Sequence, residues 1–531
     1  MTRILIIGSG AAGAAAALAV IKRGATPILL DVGIRPPAGV IDDRHLLDQP
    51  VVPLEFMQEM FGEDLHRLET LVGPYLSPKL RPHPYGFVTE GADDLFPIRG
   101  SGVEITQSAA LGGLANAWGA GCYAFTNDDL VGHAASADDL GPWYRELADE
   151  IGISGEDDAL APHVGLGLPL QPAHPIGNAA AAVLRSFQRS SGVYEKHGVT
   201  IGQARLAVLS RAHRERSACD YKQTTFLRSS LEGVYSPRFT IERLIREGKI
   251  SYRGGLKVER FREVDGRVEV DARRVDTHEA ITVSADSLII ACGTLNSARL
   301  VVSSRGDTET TVPLLDNELT LTPFLKLSML GAAPERQVHG LAQLNYHKVV
   351  RPAVGDQPEQ YVFGAMYGVA SIPTYEFLLD FPLAMKGALA AAAALLPSLF
   401  LVSTFYPSRP NQGSHVRLND DGTLGVEITP QAQVGATERT LIGLFRRAGL
   451  VSHPALMKRP LPGNGIHYAG TLPFRKEGGG GYTTDREGRL CGTRRVFVCD
   501  ASVFPTLPAK NHTFTMMANA MRIGTCVMDC A

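Results

Sequence analysis

Short apolar runs alternate with alanine-rich and leucine-rich stretches along much of the chain, a pattern typical of an α/β fold. Residues 4–7 (ILII) are a continuous apolar run, which predicts a strand buried on both faces of a parallel sheet. The alanine-rich residues 14–22 favour helix, and residues 27–31 (PILLD) predict the next strand. The chain therefore opens with one predicted β-α-β unit.

The same patterning predicts further elements downstream. Residues 258–270 predict a hairpin that turns at Asp265-Gly266, because Asp-Gly is a favoured hairpin turn. Residues 287–291 and 494–500 predict two more buried strands. Residues 306–459 differ in character, with more prolines and longer connections. They also contain the aromatic residues Tyr361, Phe363, Tyr367, Tyr375, Phe377, Phe405 and Tyr406.

A glycine motif joins the first strand to the first helix. Residues 8–13 read GSGAAG, a GxGxxG, and Asp31 ends the following strand. In this context the first glycine makes the tight turn, the second admits a pyrophosphate, and the third allows close helix packing, while the acidic residue binds ribose hydroxyls. The motif predicts dinucleotide binding without separating NAD from FAD. The predicted contacts are Gly8, Gly10, Ala11, Ala12, Gly13 and Asp31.

Charge and cysteine content narrow the class of protein. The chain of 531 residues has a formal net charge of -3, so no basic surface is predicted and nucleic acid is not an expected partner. Its seven cysteines lack paired zinc-site spacing, and we expect reduced thiols and no metal. Only residues 1–3 precede the first strand, which leaves no room for a signal peptide and predicts a cytoplasmic location.

A loop of small residues indicates which of the two cofactors, NAD or FAD, the chain binds. Residues 111–121 (LGGLANAWGAG) resemble the flavin-contacting segment of the glucose-methanol-choline (GMC) oxidoreductases, and residues 139–144 (DLGPWY) resemble the stretch that those enzymes carry after it. The resemblance implies contacts with FAD, with Asn116 near the reactive edge of the flavin. Pyranose-oxidase-like members attach FAD covalently through a histidine where this chain has Ala117, so we expect non-covalent FAD. The implied contacts are Gly112, Gly113, Asn116, Ala117 and Trp118.

The C-terminal segments carry the most specific part of the resemblance. Residues 465–471 (GIHYAGT), 498–506 (VCDASVFPT) and 511–518 (NHTFTMMA) are similar to the GMC signature around the flavin ring. Residues 291–300 (ACGTLNSARL) resemble the family's turn that closes the FAD site. The residues implied as FAD contacts are Val258, Gly293, Asp500, Ala501 and Thr513. Asp500 is also well suited to an Asx turn without any cofactor contact.

His467 and His512 are the residues that the resemblance implies as catalytic. Either one alone, among 15 histidines, would more often be structural. As a pair they suit alcohol oxidation, because hydride loss from a carbinol carbon requires a base for the hydroxyl proton and imidazole has a pKa near working pH. We assign His467 as the base and His512 as its partner, and these roles could also be exchanged or shared.

The predicted fold is α/β: a discontinuous, doubly wound, Rossmann-type FAD-binding domain with a second, antiparallel-sheet substrate domain, as the GMC resemblance implies. The FAD domain is predicted from three segments, 1–150, 205–305 and 460–531. The substrate domain is predicted from two, 151–204 and 306–459. We expect the last helix, about 513–528, to point its N-terminus at the flavin.

The predicted function is FAD-dependent removal of hydride from the CH-OH group of a small alcohol, a sugar, glycoside or lipid-linked sugar, giving a ketone or aldehyde. Oxygen, a quinone or a redox protein would accept the electrons. Two alternatives remain: a GMC-like lyase or isomerase without net flavin reduction, and a non-catalytic FAD-binding protein. The apolar segment 377–400 predicts either a buried helix or a peripheral contact with the inner face of the membrane.

Overall fold

The computed structural model contains parallel and antiparallel sheets with helices packed against them, which confirms the predicted α/β class. It describes residues 2–37, 58–60, 62–63, 78–221, 232–308, 310–333, 335, 338–354, 358–368, 395–476 and 479–530.

A five-stranded parallel sheet lies at the centre of the main hydrophobic core. Its first predicted strand, Ile4–Ile7, is completely apolar and buried along its whole length, as both-face burial in a parallel sheet requires. The hairpin and the buried strands predicted from the sequence are all present. Across the sheet the strands run in the order Val496–Val498, Ser287–Ile290, Ile4–Ile7, Ile28–Leu30 and Ser251–Arg253.

Two helices cover this sheet beside the glycine motif. The first, Ala11–Lys22, begins directly after Gly10, three residues earlier than its alanine content predicts. The last, Thr513–Cys530, extends slightly beyond its predicted end and packs against the first. They approach closely, because a Cβ on Gly524 would lie 3.0 Å from the Ala16 carbonyl oxygen. The start of the chain and its C-terminal segment therefore share one core.

The second large sheet has six strands, and all of its pairings are antiparallel. Its strands come from residues 199–203 and 319–451, and its inward face is apolar, with a core of its own. Across the sheet they run in the order Leu450–Val451, Leu319–Lys326, Leu399–Phe405, Gln360–Tyr367, Ala342–Arg351 and Val199–Gln203.

Four smaller sheets complete the described strands. A three-stranded sheet contains the predicted hairpin, with its turn at Asp265 and Gly266, both at positive φ. The strand order of that sheet is Ala280–Ala285, Arg267–Arg274, Leu256–Val264. The others are Thr311–Pro313, His415–Leu418, Leu424–Glu427 and Ile98–Arg99; Leu315–Asp316 with Tyr468–Ala469; and Ile153–Ser154 with Leu170–Gln171.

The remaining helices lie around the sheets. The α-helices are Ala92–Leu95, Ala137–Ile151, Ala161–Val164, Asn178–Arg189, Ser191–Lys196, Pro237–Arg246, Thr294–Arg305 and Ala436–Phe445. The 3-10 helices are Pro78–Leu80, His83–Val88, Gly113–Asn116, Leu327–Met329, Leu396–Ser398, Arg446–Ala448, Pro454–Leu456 and Ala501–Val503.

The predicted domain boundaries stay a prediction, although the parallel sheet draws its strands from each segment assigned to the FAD domain. Of the apolar segment 377–400, residues 377–394 lie outside the described part of the chain, and residue 399 begins a strand of the six-stranded sheet. Within the described part, no helix is both long enough and apolar enough to cross a bilayer.

Candidate active site

One cavity of about 920 Å³ runs from the glycine motif to the two C-terminal histidines. Residues of the parallel sheet, the predicted hairpin and the six-stranded sheet all line it. Of the residues predicted from the sequence, those that line it are Gly8, Gly10, Ala11, Ala12, Asp31, Gly113, Ala117, Trp118, Val258, Gly293, His467, Asp500, Ala501, His512 and Thr513. The structure therefore brings together residues as far apart in sequence as Gly8 and Thr513.

The glycine motif forms the tight end of the cavity. Gly8 has φ +99°, and a Cβ there would lie 2.5 Å from the carbonyl oxygen of Ala291. A Cβ on Gly13 would lie 1.9 Å from the carbonyl oxygen of Gly8, so the helix can approach the strand only with glycine at this position. A Cβ on Gly10 would meet nothing within 4 Å, which leaves open space above the helix N-terminus. That space suits a pyrophosphate.

Asp31 lies beside this turn at the end of its strand. Its carboxylate accepts a hydrogen bond from the Ser9 hydroxyl, whose oxygen in turn accepts one from the Gly112 amide at 2.9 Å. Burial raises the pKa of Asp31 to about 7. Hydroxyl donors from a ribose would favour the ionised carboxylate and lower that pKa. The two hydrogen bonds of the Ser9 hydroxyl, to Asp31 and from Gly112, also connect the glycine motif to the small-residue loop.

Within the small-residue loop, side chains divide between lining the cavity and holding the loop together. Ala117 and Trp118 line the cavity, and the Trp118 indole donates to the Tyr235 carbonyl at 2.8 Å. The Asn116 amide instead donates to the Leu111 and Gly113 carbonyls, at 2.9 and 2.8 Å. Asn116, Gly112 and Gly13 are the predicted contacts that do not line the cavity. The Asn116 side chain closes the loop on itself.

Asp500 joins the C-terminal segment to the Gly293 turn. One carboxylate oxygen accepts from the Gly293 amide at 2.9 Å and the Ser297 hydroxyl at 2.5 Å, and the other accepts from the Ser502 amide at 3.0 Å. The last contact is the Asx turn that the sequence suggests. Gly293 itself has φ +81°, and a Cβ there would meet nothing within 4 Å, so its backbone faces the open cavity. The carboxylate therefore holds a second glycine against the space available to a cofactor.

His467 and His512 lie together at the other end of the cavity. Their ring centroids are 5.4 Å apart and the rings are nearly perpendicular, at 83°. Both are buried, with 8% and 7% exposure. Burial, followed by the effects of His512 and Lys79, lowers the pKa of His467 well below its usual value. Burial alone lowers the pKa of His512 to about 4. Burial therefore favours the neutral form of both rings at pH 7, in which each can accept a proton, but it also makes both rings weaker bases than the free imidazole assumed from the sequence.

Among the described residues, polar side chains lie within hydrogen-bond distance of the His467 ring but not of the His512 ring. The Nδ1 atom of His467 lies 3.2 Å from the Asn317 Oδ1 atom, and its Nε2 atom lies 3.4 Å from the Asn511 Nδ2 atom. The Phe405 ring stacks on the imidazole with centroids 4.6 Å apart. By contrast, the Nδ1 atom of His512 is buried with no hydrogen-bond partner among the described residues. Such an atom is suited to bonding a molecule that enters the cavity.

Several cavity residues carried no signal in the sequence. Lys79 lines the cavity, and burial lowers its pKa to about 8, yet nothing distinguishes it from the other basic residues along the chain. Tyr123, Tyr367 and Phe405 line the substrate end, and only the last two lie in the aromatic-rich region noted from the sequence. Asn317, which contacts His467 from outside the cavity lining, belongs to no motif either, whereas its other neighbour Asn511 lies in the C-terminal segment 511–518 that resembles the GMC signature.

A second cluster of metal-ligand residue types lies outside the cavity. Ligand atoms of His163, His347 and Glu359 lie within 4.8 Å of one another. However, the two imidazole rings stack nearly in parallel, with centroids 4.0 Å apart and an angle of 15°. Metal ligation needs ring lone pairs that converge on one point, and stacked rings direct theirs along separate lines. The cluster therefore has no metal-site geometry, and the expectation of no metal stays a prediction.

Comparisons with known proteins agree with this site. Residues 451–520, which include His467 and His512, match a family model described as GMC oxidoreductase. The crystal structure of pyridoxine 4-oxidase from Mesorbium loti is similar, with a TM-score of 0.53 and 14% identity, over 99% of this chain and 98% of that one. A formate oxidase structure has a TM-score of 0.60 and 12% identity, over 100% and 98%. No curated protein sequence matches the chain.

The family match confirms the GMC resemblance and, with it, the predicted enzyme class, an oxidoreductase. The two structural likenesses, at low sequence identity, confirm the predicted fold over nearly the whole chain. GMC oxidoreductases are in general FAD-binding proteins, and the cavity fits that cofactor: it has a glycine turn at a helix N-terminus, an acidic residue at the next strand end and a second open glycine.

Proposed function

We propose that this protein is an FAD-dependent oxidoreductase that removes hydride from the CH-OH carbon of an alcohol. The observation that carries the proposal is the arrangement of one cavity: a dinucleotide-type glycine turn at one end and two neutral, buried histidines at the other. A base that is neutral at pH 7 is what alcohol oxidation requires, because the hydroxyl proton must leave as the carbonyl forms.

Backbone groups of the chain would hold FAD. The N-terminus of the Ala11–Lys22 helix would bind the pyrophosphate and the Asp31 side chain the ribose hydroxyls, while Gly293 and Asp500 would hold a further part of the cofactor. Bound FAD supplies the hydride acceptor. Ala117 offers only a methyl group at the position where some relatives carry a linking histidine, which supports non-covalent binding. The remaining assigned contacts are Val258, Ala501 and Thr513, which line the same cavity.

In this proposal His467 takes the substrate's hydroxyl proton while the carbinol carbon loses hydride, leaving a ketone or aldehyde. Its Nε2 atom lies on the side of Asn511, another cavity residue. His512, with its unbonded Nδ1 atom, orients the hydroxyl. The unequal partners of the two rings support this division of roles. The Asn317 amide holds one nitrogen of His467 in place, as suits a base that must meet a proton at one position, and the long 3.4 Å contact of Asn511 with Nε2 would give way to the substrate hydroxyl.

The substrate end supports a sugar, glycoside or lipid-linked sugar as the alcohol. Tyr123, Tyr367 and Phe405 offer aromatic faces, with small residues Ala342 and Ala365 between them. Aromatic faces pack against the C–H faces of a ring, while the Tyr123 and Tyr367 hydroxyls already bond the side chains of Asn345 and Ser403. Both similar structures are named as oxidases, which favours oxygen over a quinone or a redox protein as the electron acceptor. Peripheral membrane contact through 377–400 stays a prediction.

The test is anaerobic titration of the purified protein, in its flavin-loaded form, with glycosides, polyols, sterols and polyprenyl-linked sugars. We expect one class to bleach the flavin absorbance and yield one equivalent of carbonyl product. The matched control is His467→Gln, which should bind FAD and bleach at least about a hundredfold more slowly. A substrate consumed without bleaching would favour the lyase or isomerase. Flavin that no compound reduces would favour the non-catalytic FAD-binding protein.

A further inference from the structure

Asn317 lies directly beside His467 because of how two short strands pair. Leu315–Asp316 pairs antiparallel with Tyr468–Ala469, with Asp316 opposite Tyr468. Continuing this register by one residue places Asn317 opposite His467. Asn317 is fully buried, with 0% exposure. A buried amide must satisfy its hydrogen bonds inside the protein, so its partners reveal its orientation.

The partners of Asn317 fix which end of its amide faces the histidine. Its Nδ2 atom donates to two backbone carbonyls, of Tyr406 at 2.7 Å and of Pro508 at 3.1 Å. Carbonyl oxygens only accept hydrogen bonds, so the amide nitrogen must face them. The amide oxygen is therefore the atom 3.2 Å from the His467 Nδ1 atom. A reversed amide would set its oxygen against the two carbonyl oxygens of Tyr406 and Pro508.

An amide oxygen accepts and cannot donate, so the Nδ1 atom of His467 must carry the hydrogen. A neutral imidazole has one protonated nitrogen, and its lone pair then lies on Nε2. That atom faces Asn511, whose Nδ2 atom is 3.4 Å away and can donate to a lone pair. The Phe405 ring, stacked at 4.6 Å, limits tilting of the imidazole. Each neighbour thus agrees with one tautomer and one ring orientation.

We propose that Asn317 is a positioning residue that holds His467 in its Nδ1-protonated tautomer, so that Nε2 is the basic atom presented to the cavity. The catalytic consequence rests on the proposed function, whereas the tautomer rests on the hydrogen bonds alone. The assignment also separates the two histidines. His512 has no corresponding acceptor at its Nδ1 atom among the described residues, and its tautomer is free to follow whatever bonds to it.

The first test observes the tautomer without any substrate. Flavin-loaded protein labelled with nitrogen-15 in histidine is studied by long-range proton–nitrogen NMR at pH 7, and His467→Gln identifies the signals of His467. We expect a protonated Nδ1 and an unprotonated Nε2. A protonated Nε2 with a bare Nδ1, or a charged ring, would overturn the proposal. This measurement needs no substituted residue at 317 and so does not depend on how a variant folds.

The second test changes the acceptor. Asn317→Asp sets one carboxyl oxygen against the Nδ1–H group and the other against the Tyr406 and Pro508 carbonyls, and in its ionised form this carboxyl should stabilise the charged ring and raise the pKa of His467 by about one unit or more. The other groups that act on this pKa are His512 and Lys79, both lowering it, while Asp316 on the Asn317 strand accepts from the Gly463 amide at 2.8 Å. They stay unchanged in the variant, so the shift reports the new carboxylate.

The matched control is Asn345→Asp. Asn345 is equally buried, and its amide donates to the Gly364 carbonyl at 3.0 Å and accepts from the Tyr123 hydroxyl at 2.8 Å. This variant also loses buried donor bonds, but it makes no contact with His467. We expect the NMR titration of His467 to move in Asn317→Asp and to stay unchanged in Asn345→Asp. Equal movement in both, or in neither, would overturn the proposal. An unfolded Asn317→Asp variant would leave the wild-type spectrum to decide.

Failure of the proposed function and failure of this inference are distinguishable. If the spectrum shows the Nδ1-protonated tautomer but no alcohol bleaches the flavin, the positioning role of Asn317 stands and the activity does not. If an alcohol bleaches the flavin but the spectrum shows a protonated Nε2, the activity stands and the positioning role does not. With both in place, Asn317→Asp should also move the acid limb of the flavin-reduction rate to higher pH by about one unit.

Discussion

The two ends of the cavity are built in different ways. At the glycine end, backbone meets backbone: Gly8 and Gly13 have no room for a side chain, and Gly10 and Gly293 leave open space where one would project. At the histidine end, side chains from distant segments meet, including His467, His512 and Phe405. Where backbone packs against backbone, only glycine fits, whereas a surface made of side chains can be formed by many combinations of residues. Substitutions at the two ends should therefore fail differently.

The largest expected effect is at the glycine end. Gly13→Ala places a Cβ 1.9 Å from the Gly8 carbonyl oxygen, so the helix must move away from the strand. We expect less than about a tenth of the wild-type FAD content and a lower melting temperature, because this packing forms the cofactor site. The control is Gly192→Ala, where a Cβ meets nothing within 4 Å. Normal FAD content in Gly13→Ala would contradict the role of this turn.

At the histidine end, substitution should spare the cofactor and remove the chemistry. His467→Gln is expected to keep normal FAD content and to slow anaerobic flavin reduction at pH 7 by about a hundredfold or more. His512→Gln should slow it by about tenfold, since orientation of the hydroxyl is lost but the base remains. The exposed His197→Gln is the control. A larger loss in His512→Gln than in His467→Gln would exchange their roles.

The two ends should also respond to pH with opposite signs. Burial lowers the pKa of His512 from 6.5 to about 4, so between these values the unfolded chain binds more protons and stability rises with pH. Burial raises the pKa of Asp31 from 3.8 to about 7, so there the folded protein binds more protons and stability falls with rising pH. For His512, the free energy of unfolding changes by at most about 3 kcal/mol over this pH range.

Thermal unfolding measured from pH 4.5 to pH 7.5 checks these signs. His512→Leu should flatten the rise of melting temperature with pH, and Asp31→Asn should steepen it. Because bound FAD would place hydroxyl donors at Asp31, the difference between Asp31→Asn and the wild type should be smaller in flavin-loaded protein. Changes of the same sign in both variants would show that the two groups do not titrate as their burial implies.

The smallest expected effect is at the aromatic face of the substrate end. Tyr367 lines the cavity and its hydroxyl bonds the Ser403 side chain, so Tyr367→Phe keeps the ring but loosens its position, and we expect a change in KM of about two- to tenfold with FAD content unchanged. Tyr194→Phe is the control, because that hydroxyl bonds Ser186 outside the cavity. Loss of FAD in Tyr367→Phe would show that this face supports the cofactor rather than the substrate.

The difference between a backbone-built end and a side-chain-built end also explains which features of the molecule could be predicted from its sequence. The glycine turn, the hairpin at residues 258–270 and the last helix follow from local patterns, and the structure contains each of them. Asn116 carries a family motif, yet its amide closes its own loop, because a motif fixes a position and not the direction of a side chain.

Other features depend on contacts that no local pattern contains. Asn317 reaches His467 through strand pairing across 150 residues, and Lys79 enters the cavity from a 3-10 turn with no distinguishing sequence. The substrate end is a sheet face with aromatic residues. Aromatic residues are common in β-sheets in general, so their presence in the sequence does not identify a substrate site. It follows that the cofactor class could be predicted from the sequence, while the alcohol and the residues that position the base could not.

The most direct test of the account is the visible absorption spectrum of the purified protein, before and after denaturation. We expect a flavin spectrum and, on unfolding in acid, release of all the flavin into the supernatant as FAD, since Ala117 provides no covalent link. A flavin that stays with the precipitated chain would contradict non-covalent binding. A colourless protein that does not take up added FAD would contradict the central claim that this cavity is a flavin site.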